Sequence, residues 1–277
     1  ADFHEGMFDV HFDTTLYFTL RQVGSGHEPA ESLLDAVEGR ARSGFPDHAA
    51  FMLYLENHDE TRYVVECGDD AAKAAAGALF TLPGIPMLYG GQELGQRGNR
   101  DPLAWGDARE EIRSHYDDLL ALHDDHPALG VEGDLVHVEY ETENPDDVVA
   151  FGRKNEDAGY VVLLNFVPGT ATVGIDETVD ATDLVSGVSR AAEDGLTVED
   201  VAVFEVGQDA DQVAWAGQRG PGGDLDGRFH LVGDDVRHGR LAQAGRAVQE
   251  DVLHRLGPLA GGGDGDAKLL DQLRGAD

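Results

Sequence analysis

The sequence predicts an α/β fold in its first half and an all-β fold in its second. Three strand-then-helix units occupy residues 1–126, and alternation of this kind is typical of a parallel sheet or barrel. Five short β runs without an intervening helical pattern follow, which favours an antiparallel β-sandwich over residues 127–207. The remaining residues, 208–277, begin with a Gly-rich linker, and we expect this tail to be flexible and partly helical or disordered.

Each element rests on a local pattern. The predicted parallel strands are residues 7–12, 51–55 and 85–89, and the helices that follow them are 31–43, 69–82 and 108–123. The run at 51–55 is continuously apolar, as in strands buried on both faces of a parallel sheet. Pro83 and Gly84 end the second helix. The predicted sandwich strands are 135–140, 148–153, 160–166, 171–175 and 201–206.

The composition excludes several classes of function. The 277 residues include 54 Asp and Glu against 20 Lys and Arg, for a formal net charge of -34. Such an acidic chain is a poor partner for nucleic acid or an anionic membrane. No apolar stretch approaches the ~20 residues of a membrane helix. The single cysteine, Cys67, excludes an internal disulfide framework.

The charge also suggests an origin. Lysine occurs only at positions 73, 154 and 268, and acidic residues dominate the surface. A surface of this kind repels itself in dilute buffer and becomes tolerable where salt screens it. This favours an extreme halophile, with an ordinary acidic mesophilic protein as the alternative.

The first residues bear on the extent of the chain. It begins at Ala1 without an initiator Met or the pattern of a signal peptide. We therefore expect a processed precursor or the C-terminal part of a longer protein. A cytoplasmic location is expected, with an extracellular one left open.

The candidate site follows the most apolar strand. Five consecutive polar residues, Glu56-Asn57-His58-Asp59-Glu60, come directly after it. In parallel α/β barrels, residues just beyond the carboxyl end of a strand form the active-site face. Carboxylates there can stabilise a cationic transition state, and amides or imidazoles can bind sugar hydroxyls. The alternative is a solvated loop of an acidic protein.

Several motifs resemble the α-amylase family, glycoside hydrolase family 13. Residues 55–62 (LENHDETR) are similar to that family's fourth sequence signature. Residues 82–95 (LPGIPMLYGGQELG) resemble its eighth barrel strand and the following loop, and Asp101, Pro102 and Trp105 continue the match. Asp9 fits the sixth strand, and residues 164–166 fit the C-terminal sandwich. The resemblance covers residues 3–206 and implies the last three β/α units of a TIM-type (β/α)8 barrel followed by a sandwich.

The resemblance implies a role for each candidate residue. Asp59 would stabilise the transition state as the third carboxylate of the site, and His58 would donate to the same sugar. Asn57 would help to hold the loop, and Arg62 would pair with an active-site carboxylate near the substrate. Asp101 would reach substrate on the non-reducing side or support its loop.

The resemblance also implies an activity and a gap. The expected reaction is hydrolysis of α-1,4-glucans such as starch, glycogen and maltooligosaccharides by a retaining mechanism. The alternatives are a transglycosylase of the same family and a non-catalytic glucan-binding remnant. The nucleophile and acid/base carboxylates of the family precede the strand of Asp9, and Glu5 lies too close to that strand to supply one. We therefore expect the supplied chain alone to be inactive.

Three further expectations concern the rest of the molecule. No cofactor is expected in this chain, since the family's calcium site belongs to a second domain that would lie upstream. The oligomeric state is undetermined by the sequence. Three strands of an eight-stranded barrel should leave two open edges and an uncovered apolar face, which includes Phe51, Leu53, Met87 and Leu88.

Overall fold

The structure is a computed structural model that describes residues 7–46, 49–175, 181–190 and 195–206. All of these residues belong to one compact unit. The predicted tail, including its helical pattern at 241–256, lies outside the described residues.

The first half contains a three-stranded parallel sheet. Its elements in chain order are β1 (Val10–Phe12), α1 (Thr14–Gly24), α2 (Ser32–Arg42), β2 (Ala50–Tyr54), α3 (Tyr63–Glu66), α4 (Asp69–Thr81), β3 (Ile85–Met87), a 3-10 turn (Trp105–Asp107) and α5 (Glu110–Asp125). Strand β2 lies in the middle and pairs in parallel with β1 and β3. The three predicted strand-then-helix units are therefore present.

Helix α1 is an element that the sequence did not predict. Its first turns contain threonines and aromatic residues, which are typical of strands. Asp13 caps the helix, because its Oδ1 accepts the N–H of Leu16 at 2.9 Å. Burial of Leu16 and Leu20 stabilises the helix despite its composition.

Met87 and Leu88 of the expected uncovered face are half-buried, but the expectation is wrong for Phe51 and Leu53. Their side chains are 7% and 0% exposed, because they belong to the core that the helices cover. Among the exposed apolar residues, Phe8 just before β1 and Phe12 within it are 58% and 52% exposed.

Helix α4 is the central element of the core. Its alanines at 74, 75, 76 and 78 are fully buried. A Cβ added to Gly77 would lie 2.2 Å from Cγ2 of Val201, so the helix approaches the sandwich too closely for a larger residue. The small side chains of α4 therefore permit close packing as well as favouring the helix.

The second half is antiparallel. Its strands are β4 (Asp134–His137), β5 (Tyr140–Thr142), β6 (Val148–Lys154), β7 (Gly159–Asn165), β8 (Ala171–Ile175), β9 (Ala181–Thr182), β10 (Ser189–Arg190), β11 (Leu196–Val198) and β12 (Val201–Val206). One sheet has the order β12-β7-β6-β4, another has the order β11-β8-β5, and β9 pairs with β10. All five predicted runs contain strands, and the added ones are two to three residues long.

The two halves share a hydrophobic core. Alternate residues of β6 and β7 face opposite ways, as expected for strands. Val149 and Leu164 join the cluster that contains α4, whereas Val148 and Leu163 join a second cluster with β8 and β11. The domain boundaries at 126/127 and 207/208 stay a prediction, and the first of them is crossed by this core.

The side chain of Arg153 forms hydrogen bonds between the two halves. Its guanidinium is fully buried and donates to the backbone carbonyls of Thr81, Leu129, Gly130 and Gly133. Thr81 is the last residue of α4, so these bonds satisfy a carbonyl at a helix end. Burial lowers the pKa of Arg153 to about 9.

Candidate active site

The acidic loop after β2 is exposed and internally ordered. The side chains of His58 and Asp59 are 66% and 64% exposed. The Asn57 side-chain oxygen accepts the backbone N–H groups of Asp59 at 2.8 Å and of Glu60 at 3.1 Å. This turn fixes the backbone from which the Asp59 carboxylate projects.

The carboxylate of Asp59 has two polar neighbours. Its Oδ1 accepts from Nη2 of Arg100 at 2.6 Å, and its Oδ2 lies 3.2 Å from Nε2 of His58. The backbone oxygen of His58 accepts two more bonds, from Nε of Arg100 at 2.7 Å and from Nδ2 of Asn99 at 3.0 Å. The loop after β3 therefore closes against the loop after β2.

Arg62 lies beneath this surface rather than on it. Its side chain is 1% exposed, and its Nη1 donates to Oε2 of Glu56 at 2.7 Å. Its other donors reach the carbonyls of Gly98 at 3.0 Å, Gly90 at 2.9 Å and Asn99 at 3.5 Å. The carboxylate that Arg62 pairs with is Glu56, and this burial leaves it no surface for a sugar. The prediction that Arg62 contacts substrate disagrees with this burial, because its hydrogen bonds go to Glu56 and to backbone carbonyls of the protein.

The pair of Arg62 and Glu56 is buried but well satisfied. The second carboxylate oxygen of Glu56 accepts the backbone N–H of Tyr63 at 2.8 Å. The guanidinium of Arg62 also lies 4.4 Å from the ring centroid of Tyr89. Burial raises the pKa of Glu56 above its ordinary value, against the opposing effects of Arg62 and the Tyr63 N–H. This pair anchors both loops to the core.

Asp101 is exposed in the loop between β3 and α5. It lines an open groove of about 440 Å³ together with Gln96, Arg97 and Arg109. Its backbone oxygen accepts from Nε2 of Gln96 at 3.3 Å. No hydrogen bond or ion pair joins Asp101 to the Asp59 loop among the described residues.

The structure thus brings together Asn57, His58 and Asp59, and it separates Arg62 and Asp101 from them. Asn99 and Arg100 contact the candidate loop, and sequence reasoning missed both. Their contacts with His58 and Asp59 span 41 or 42 positions, so no local spacing reveals them. Their only sequence signal is their place directly before Asp101 in the loop after the third strand.

No group of three or more His, Cys, Asp or Glu side chains in the described ranges is arranged to hold a metal ion. None of the described helices combines the length and the apolar character needed to cross a membrane.

Comparisons with known proteins identify the family. The family model for the α-amylase catalytic domain matches residues 31–148. α-Amylase MalA of Haloarcula japonica is 56% identical over 209 residues, which are 73% of this chain and 31% of that protein. The maltogenic α-amylase of Bacillus acidopullulyticus is 31% identical over 133 residues, 44% of this chain and 22% of that protein.

Solved structures resemble the fold. The α-amylase of Geobacillus thermoleovorans in complex with acarbose has a TM-score of 0.63 at 23% identity, covering 74% of this chain and 49% of that one. An Anoxybacillus α-amylase has a TM-score of 0.61 at 21% identity, covering 74% of this chain and 49% of that one.

The described fold, a three-stranded parallel sheet followed by antiparallel sheets, is similar to that of these α-amylases. The chain belongs to the α-amylase family. The Haloarcula relative and the acidic composition support a halophilic archaeal origin. The chain spans about a third or less of the length of these two curated relatives and about half of these two solved structures.

Proposed function

We propose that the protein hydrolyses α-1,4-glucans with retention of configuration, and that Asp59 stabilises the transition state. The observation that carries this proposal is the exposed Asp59 carboxylate in the loop after β2, where Arg100 donates to it and Nε2 of His58 lies 3.2 Å away. The corresponding strand ends form the active-site face in barrels of this type. Substrates would be starch, glycogen and maltooligosaccharides.

The chemistry of glycoside cleavage accounts for the choice of Asp59. The sugar ring gains positive charge in its oxocarbenium-like transition state. A fixed carboxylate is most stabilising at that moment, because the charge it faces is greater than in the bound substrate. His58, next to Asp59 and equally exposed, can donate a hydrogen bond to the same sugar.

A retaining reaction needs two more carboxylates about 5–5.5 Å apart. One attacks the anomeric carbon, and the other protonates the leaving oxygen and later activates water. The nucleophile and the acid/base carboxylate would both lie in sequence outside the described residues. Residues 7–206 would then supply the transition-state carboxylate, the sugar-binding imidazole and the loops that hold them.

The names of the relatives support the substrate class. They include α-amylases and a maltogenic α-amylase, and a similar structure was solved with acarbose. These properties are those of the relatives, and for this chain they motivate the assay.

The test is product analysis. The protein is expressed from its complete open reading frame and incubated in molar KCl with starch and with maltooligosaccharides. We expect shorter oligosaccharides whose new reducing ends first appear as the α-anomer in proton NMR. A preparation of Asp59→Asn purified in parallel controls for contaminating amylase.

Three outcomes would contradict the proposal. Products longer than the substrate, formed in preference to hydrolysis, would indicate a transglycosylase. Binding without any product would indicate a glucan-binding protein. A first product in the β-anomer would exclude retention.

A further inference from the structure

Arg100 donates hydrogen bonds from one edge of its guanidinium to two consecutive residues of the acidic loop. Nε donates to the backbone oxygen of His58 at 2.7 Å, and Nη2 donates to Oδ1 of Asp59 at 2.6 Å. We propose that Arg100 is a positioning residue that sets the orientation of the Asp59 carboxylate, an inference that rests on the proposed function of Asp59. Nothing in the sequence pattern assigned a role to Arg100.

The geometry requires arginine in particular. Nε and one Nη lie side by side on a rigid planar fork, so that one side chain can bind two acceptors at a fixed spacing. A lysine ammonium carries the same charge on a flexible stem and lacks that fork. The backbone bond fixes the guanidinium, and the guanidinium in turn fixes the carboxylate.

An exposed ion pair alone would be a weak argument. The side chains of Arg100 and Asp59 are 67% and 64% exposed, and pairs of this kind contribute little, especially in salt. The hydrogen bond from Arg100 to His58 differs from this ion pair because its acceptor is an uncharged backbone oxygen, so salt should weaken it less. Asn99 donates to the same oxygen at 3.0 Å, so both residues tie the two loops together.

The loop that carries Arg100 is itself anchored in the core. Buried Arg62 donates to the carbonyls of Gly98 and Asn99, directly before Arg100. Tyr89 also donates to the Asn99 carbonyl, at 3.1 Å. A rigid path therefore runs from Glu56 and Arg62 to the Arg100 guanidinium, which is the support that a catalytic carboxylate needs.

This role has a kinetic signature. A carboxylate that acts on the transition state loses effect when it is misdirected, while the bound substrate is affected less. Arg100→Gln should therefore lower kcat by about 10- to 100-fold, since a displacement near 1 Å can cost on the order of 10²-fold. KM should change by less than about threefold. Arg100→Lys should retain more activity than Arg100→Gln but less than the parent.

Arg42→Gln is the matched control. Arg42 is the last residue of α2, is 65% exposed like Arg100, and its Nη1 lies 3.9 Å from Oε2 of Glu38. The substitution removes the same charge and should leave kcat and KM unchanged. All variants are made in the protein expressed from its complete open reading frame and assayed on maltooligosaccharides in molar KCl.

A double-mutant cycle separates this inference from the proposed function. If Arg100 acts through Asp59, the combined Asp59→Asn, Arg100→Gln variant should be no slower than Asp59→Asn alone. Multiplying losses would overturn the inference, as would equal kcat values for Arg100→Gln and Arg42→Gln, or full activity of Arg100→Lys. If instead Asp59→Asn itself keeps full activity, the proposed function of Asp59 fails, and this inference fails with it.

Discussion

The sharpest structural prediction concerns Arg62→Met. The substitution keeps much of the side chain's apolar volume and removes the guanidinium. It leaves the Glu56 carboxylate, itself 3% exposed, with the Tyr63 N–H as its remaining hydrogen bond from the protein. Breaking a buried ion pair in this way costs about 3–5 kcal/mol. The carbonyls of Gly90 and Gly98 lose a donor as well, so we expect a loss near the upper end, about 4–5 kcal/mol.

Urea unfolding of the protein expressed from its complete open reading frame, in molar KCl and followed by circular dichroism, measures this loss. The matched control is Arg100→Met, which removes an exposed arginine from the same site and should cost less than about 1 kcal/mol. The double variant Glu56→Leu, Arg62→Met should be more stable than Arg62→Met, because no unpaired buried charge remains. A loss below about 1 kcal/mol for Arg62→Met, or a double variant as unstable as the sum of its singles, would refute the reasoning.

Three other predictions concern stability. Burial lowers the pKa of His115, so the unfolded chain binds a proton at a higher pH than the folded one, and stability should fall as the pH drops below about 6.5. His115→Gln should reduce this dependence of the melting temperature on pH, and an unchanged dependence would contradict the prediction. Arg153→Met leaves four carbonyls without their donor and should cost about 2–4 kcal/mol in urea unfolding, whereas a neutral result would show that the bonds contribute nothing net. With a net charge of -34, the urea midpoint should rise from low salt to about 2 M KCl, where the Debye length is about 3 Å or less; equal midpoints would contradict the halophilic interpretation.

Local patterns predicted most of the fold. The bounds predicted from the apolar run at 51–55 and the helix-forming run at 69–82 agree with β2 and α4 to within one residue. This is because hydrophobic periodicity and helix-capping signals depend on residues close together in the sequence. Helix α1 was missed because burial of its apolar face outweighed the strand-like residues of its first turns. The core shared between the halves depends on tertiary contacts that no window of the sequence contains.

The candidate site could likewise be predicted only where its contacts are local in sequence. The loop of Asn57, His58 and Asp59 could be proposed from the sequence because its residues are adjacent, and its role in the site stays a prediction. Arg62 was predicted to lie near the substrate, but its side chain is buried. It donates to backbone carbonyls 28 to 37 positions away, and no local sequence pattern reveals these contacts. Arg100 was missed because its contacts lie 41 or 42 positions distant, beyond any spacing rule.

The most direct test of the central claim is the kcat of Asp59→Asn on maltooligosaccharides. The variant keeps size and hydrogen bonding but loses the charge that would face the developing cation, so we expect a loss on the order of 3–6 kcal/mol in transition-state stabilisation, an estimate guided by what preorganised electrostatic groups supply. The matched control is Glu60→Gln, which removes one charge from the next residue of the same loop and should be nearly silent. Circular dichroism of each variant checks the fold. A kcat at least 100-fold below that of Glu60→Gln is the result that the account predicts, and near-full activity of Asp59→Asn would contradict it.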